Sequence, residues 1–168
     1  MGTIARARYR SRQFFGALRP RIDATLRDNA YALLHEPERR LFESMTPRDQ
    51  QHCLDVYRRL LTQGHAGADL LTAALLHDAG KGRIALWHRV AYVLLEASSP
   101  GLLRRLAAPG DGPGWRQALY RCLHHPRLGA ALAQAAGCSD QVVALIRGEG
   151  AAASRERLAA LAGADEAA

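Results

Sequence analysis

The eleven residues from Asp69 to Ala79 constrain this chain more than any other stretch. Leu70, Leu71, Ala73, Ala74, Leu75 and Leu76 leave almost no polar face on a helix of that length. A helix apolar on most sides has to be enclosed by other elements. It ends at Gly80-Lys81-Gly82, a strong stop. Around it helical punctuation recurs and strand alternation does not. In Thr46-Pro47-Arg48-Asp49 a hydroxyl can cap orphan amides, proline pre-sets the first helical position, and an acid sits in the first turn. With Leu54, Val56, Tyr57, Leu60 and Leu61 on a broad apolar face and Gly64 after the last turn, the pattern predicts a helix over 47–63. Further helices are expected near 37–45, 85–97, 100–107, 115–124, 126–136, 140–147 and 154–162. Pro126 opens one of them, and Ser139 and Ser154 cap two others. The segment 108–114, Ala-Pro-Gly-Asp-Gly-Pro-Gly, is a loop too short to link two domains. The fold class is therefore all-α, a compact single-domain helical bundle.

A chain of 168 residues can bury about 70% of its unfolded surface and needs no disulfide framework. Cys53, Cys122 and Cys138 form no C-x-x-C pair and read as small core residues, which suits a reducing cytoplasm. No stretch approaches the roughly 18 uninterrupted apolar residues of a membrane span. The best run, Val90 to Leu95, is far shorter and includes Tyr92.

Charge is concentrated at the start. Residues 1–27 hold seven arginines against one acid, Asp23, so the segment stands at +6 and the other 141 residues at +1. Residues 1–35 thus read as a basic arm or leader helix before a helical domain over 36–168. The arginines from Arg6 to Arg21 suit a polyanion or an anionic membrane surface. A transit peptide, or a solvated leader docking Phe14, Phe15 and Leu18 on the domain, fits the same residues.

The chemistry lies in His77-Asp78, at the end of the most apolar helix. A buried ionisable pair is expensive unless it is paired or ligated. A metal ion beside the helix end supplies one reason for it, and a hydrogen-bonded terminal pair supplies another. His52 lies one turn into the preceding helix. The short connection 64–68 makes the two helices an antiparallel hairpin, bringing His52 toward the far helix's end. Lys81 follows just beyond the pair, where an ammonium could hold a phosphate.

Thr46-Pro47-Arg48-Asp49-Gln50-Gln51-His52, followed by Ala73-Ala74-Leu75-Leu76-His77-Asp78-Ala79-Gly80-Lys81, resembles the HD-domain superfamily of metal-dependent phosphohydrolases, over about residues 46–168. His124-His125-Pro126-Arg127-Leu128-Gly129 resembles the histidine region of HD-GYP and HDIG-type members. The segment Leu158 to Ala167 resembles the last helix, which carries a metal-binding aspartate. The resemblance implies a bundle of the HD type with metal ligands His52, His77, Asp78 and Asp165. It also implies a divalent ion (Mn, Fe, Co, Ni or Zn) and hydrolysis of a nucleotide or another small phosphate ester. Asp78 and Lys81 then act in catalysis, Lys81 by stabilising developing negative charge.

The departures narrow this. Where two-metal relatives carry a further histidine, this chain reads Leu145-Ile146-Arg147-Gly148-Glu149. That favours a single metal unless Glu149 substitutes, and the missing GYP signature argues against cyclic di-GMP chemistry. His124, His125, Arg83 and His88 remain substrate or supporting contacts. Neighbouring His124 and His125 cannot both face one site, and His125 could instead cap the helix that Pro126 opens. The alternative function is a non-catalytic HD module binding a ligand or partner, with its metal site structural.

Overall fold

A computed structural model of the chain describes residues 24–110, 113–150 and 154–168. The arginines Arg6 to Arg21 lie outside these. Every regular element among the described residues is helical. In chain order they are α1 (Ala24–Leu33), α2 (Glu36–Ser44), α3 (Pro47–Thr62) and α4 (Ala68–Leu76), then a single 3-10 turn over Ala79–Lys81. There follow α5 (Leu86–Ser98), α6 (Pro100–Leu106), α7 (Gly114–Ala135), α8 (Asp140–Arg147) and α9 (Arg155–Ala167). None is long and apolar enough to cross a membrane.

The core forms around α4, as its composition requires. All seven residues from Leu70 to Leu76 are buried. α3 covers one side with Cys53, Leu54, Val56 and Leu60, and α8 another with Val142, Leu145 and Ile146. At about 1.5–3 kcal/mol for each fully buried large apolar side chain, α4 and its wall are the main source of stability. The stretch 24–34, grouped above with the arm, puts Leu26, Ala30 and Leu34 into this same core.

Local chemistry sets the ends. The Thr46 hydroxyl accepts the Asp49 amide at 3.3 Å, and that of Ser139 accepts the Val142 amide at 3.3 Å. The α3–α4 connection turns through Gly64, whose φ of 85° lies in the left-handed region that glycine adopts without strain. α3 and α4 form the expected hairpin, with the His52 and His77 rings 5.4 Å apart.

Two expectations fail. Ser154 makes no side-chain cap. Pro126 opens no helix: 115–124 and 126–136 are one continuous α7, with Pro126 inside it, and His125 therefore caps nothing. A proline in mid-helix lacks the N–H that would bond four residues back, so the carbonyl of Cys122 loses its backbone donor. The imidazole of His125 replaces it, Nδ1 donating to that carbonyl at 2.8 Å.

Candidate metal centre

Three separate pieces of chain meet at one end of α4. α3 supplies His52, the residues after α4 supply His77 and Asp78, and α9 supplies Asp165. Oδ1 of Asp165 lies 2.7 Å from Nε2 of His52 and 3.4 Å from Nε2 of His77. Asp78, 1% exposed, sets Oδ1 3.5 Å from Nε2 of His77 and Oδ2 3.9 Å from Nε2 of His52. His52, His77 and Asp78 each offer a ligand atom within 4.8 Å of the others, a group that could hold a metal ion.

The backbone orients these donors. α4 stops at Leu76, leaving its last carbonyls without helical partners. Nδ1 of His77 donates to one of them, Ala74 O, at 2.9 Å. That keeps a proton on Nδ1 and turns Nε2 toward the carboxylates, where it carries a proton in the imidazolium and offers a lone pair to a metal once that proton leaves. Nε2 of His77 and Oδ1 of Asp78 are buried without a hydrogen-bond partner. Two orphaned atoms of the kinds that ligate metals, pointing into one space, fit an ion of the borderline type. His125 is held in the same way, its Nδ1 on Cys122 O and its Nε2 3.8 Å from Oδ1 of Asp78.

Glycines let α7 come this close. A Cβ on Gly80 would stand 2.1 Å from the His125 carbonyl oxygen and 2.5 Å from the Gly129 amide. Neither is a flexible side-chain end, so a side chain at Gly80 would force the turn away from α7. Gly129 faces back, its Cβ position 3.3 Å from Gly80 N and 3.3 Å from His77 O.

The electrostatics favour carboxylates. Burial alone raises the pKa of Asp78, but His77, Lys81 and His52 outweigh it and hold the group well below the ordinary range. Asp165 is likewise depressed, burial being overcome by the His52 hydrogen bond and the nearby His77 imidazole. For His77 burial disfavours the cation, yet Cys53, Asp78 and Asp165 together raise it well above its usual value. His125 goes the other way, pushed down by burial and by the Lys81 ammonium. Nζ of Lys81 sits on Oδ2 of Asp78 at 2.6 Å.

The remaining candidates stand apart. The His124 ring packs on Tyr120 at 4.4 Å and that of His88 on Trp87 at 3.6 Å. Arg83 is exposed. Among the described residues no hydrogen bond or ion pair joins these three to His52, His77, Asp78 or Asp165. Asp55, three residues after His52, pairs with Arg58 and accepts from Gln51.

Sequence reading passed over two features. Cys53 lies behind His77, Sγ 3.7 Å from Nδ1; its place one residue after His52 on a buried helix face was the available signal. The other is an ion pair across the fold, Arg89 Nη2 on Asp49 Oδ2 at 2.7 Å with both side chains largely buried. Thr46 also donates to that carboxylate at 2.6 Å. No family model, curated protein or solved structure matches this chain.

Proposed function

We propose that this chain is a metal-dependent phosphohydrolase of the HD type, acting on a nucleotide or another small phosphate ester. One divalent ion (Mn, Fe, Co, Ni or Zn) would be held by His52, His77, Asp78 and Asp165. The observation that carries the reading is the convergence of these four side chains from three segments, with His77 Nε2 and Asp78 Oδ1 buried and unpartnered. Two imidazoles and two carboxylates suit those ions better than Mg. A metal bound there supplies a Lewis acid that draws charge from a phosphoryl oxygen and acidifies water. The chain's own groups do the rest. Lys81, 22% exposed and anchored on Asp78, offers an ammonium to the negative charge that grows on a phosphoryl group. His125, with its Nδ1 proton fixed on the backbone, presents a neutral Nε2 that can accept a hydrogen bond or a proton. The three free cysteines suit a cytoplasmic setting.

A second reading has one observation in its favour. Lys81 already pairs with Asp78, and His52 already hydrogen-bonds Asp165, within the protein. A non-catalytic module with a structural ion-pair network would look the same. Metal content per chain by plasma mass spectrometry, for wild type and Asp78→Ala, separates them when combined with phosphate release from a nucleotide panel under added Mn. One metal per chain, lost in the variant together with turnover, is the expected result. No metal after supplementation, or nucleotide binding that survives His77→Ala without any turnover, would give the site to the second reading.

A further inference from the structure

Helix α5 runs for thirteen residues without burying one. Trp87 is 59% exposed, Leu94 63%, Val93 54% and Val90 42%. At 100° per residue these four side chains fall within one arc of about 120°. Leu102 on the following α6 is also exposed. A contiguous apolar strip of this kind marks a contact surface more often than chance decoration.

Its charges have a sign. Between residues 83 and 106 the charged side chains are Arg83, Arg89, Glu96, Arg104 and Arg105. Arg89 is turned inward onto Asp49, and Glu96 accepts the Tyr92 hydroxyl at 2.6 Å. Arg83, just before α5, and Arg104 and Arg105, in the last turn of α6, are exposed. The strip is therefore apolar along its length, with exposed arginines before α5 and in the last turn of α6 and one exposed acid, Glu96, between them. Ile84, Ala118 and Cys122, with Tyr92 packed on them, tie α5 to α7, so the strip is a fixed shelf.

We propose that α5 and α6 seat this face on an anionic lipid surface. Trp87, Val90, Val93 and Leu94 enter the headgroup boundary, and Arg83, Arg104 and Arg105 meet the lipid phosphates. Apolar side chains with an interfacial Trp, flanked by arginines whose stems reach outward, are what such a surface binds. A second copy of this chain fits less well, because self-pairing sets these arginines against their own copies. Thirteen residues cannot span a bilayer, so the helix lies on it.

The test is flotation of the full chain with phosphatidylcholine vesicles, pure or containing about 30 mol% phosphatidylglycerol. Binding to the anionic vesicles is expected, with a blue shift of tryptophan emission. Trp87→Gln combined with Leu94→Gln should lower the partition coefficient at least about tenfold. Arg104→Gln and Arg105→Gln should each lower it about fivefold on anionic vesicles alone. These side chains are exposed, so an unchanged melting temperature shows that the variants fold. Three results would overturn the proposal. One is no association with anionic vesicles. Another is association that ignores Trp87→Gln/Leu94→Gln, which would leave binding to the basic N-terminal segment. The third is a concentration-dependent dimer, dissolved by the same pair of substitutions, with no vesicle binding.

Discussion

Helices α4 and α5 are both rich in apolar residues, and they end up in opposite places. α4 buries seven of its nine residues, whereas α5 buries none of its thirteen. Side-chain size and neighbours account for the difference better than hydrophobicity does. α4 alternates leucines with Ala73 and Ala74, so α3 and α8 can close on it from different sides. α5 is held to the body by Arg89, through its ion pair with Asp49, and by Tyr92, packed on a small satellite core of Ile84, Ala118 and Cys122. The rigid helix carries His77 and Asp78 at its end. Two of the metal-ligand candidates thus follow directly from the most enclosed helix, and the exposed helix is left to meet other surfaces.

The largest effect that could break this contrast is at the ligands. His77→Ala should remove the metal and lower phosphate release at least about a hundredfold, more than the loss of an orienting partner costs. Metal content and turnover measured on one preparation check it. Next comes packing. Leu75→Ala, at a position with no exposure, should cost about 2–5 kcal/mol in denaturant unfolding. Leu94→Ala on α5 should stay within about 0.5 kcal/mol. Equal costs at the two positions would mean that α5 is not the free surface described. Smaller again is Gly80→Ala, which drives a methyl into α7 backbone atoms. It should destabilise by about 1–3 kcal/mol and weaken metal binding as well, because the displaced turn begins at Asp78. A variant that loses stability and keeps its metal affinity would separate the turn's packing from the site.

How much of this was legible in the sequence differs between the same regions. The α3–α4 hairpin could be read to within a residue at three of its four helix ends, since Thr46, Pro47, Gly64 and the Leu70–Leu76 run each act through local geometry; α4 itself stops at Leu76, three residues before the expected Ala79. The meeting of His52 with His77 followed from that hairpin alone. The continuity of α7 could not be read, because Pro126 is a local stop signal. What overrides it is the side chain of His125 taking the orphaned carbonyl, a contact that shows only once the helix exists. The Arg89–Asp49 pair bridges residues forty positions apart and leaves no spacing signature. The emptiness of α5's outer face was equally hidden, since apolar periodicity says that a face exists and not that something covers it.

The smallest effect concerns pH and uses the site as its probe. In the metal-free chain the pKa of His77 is raised in the folded state. Its imidazolium therefore adds stability that is complete below its unfolded value of about 6.5. That stability drains away as pH rises through the higher folded value. Asp78 and Asp165 are depressed, so their contribution is present above about pH 4 and lost as pH falls below it. The metal-free protein should then melt at its highest temperature between these limits and lose stability on the alkaline side. Metal reverses the alkaline arm. Ligation needs His77 neutral, so binding expels its proton and strengthens as pH rises. Melting curves with chelator and with added Mn, taken from about pH 6 to pH 9, should therefore diverge steadily. Parallel curves would mean that no ion competes with the proton on His77. The cluster at the end of α4 would then be an ion-pair network, as passive as the outer face of α5.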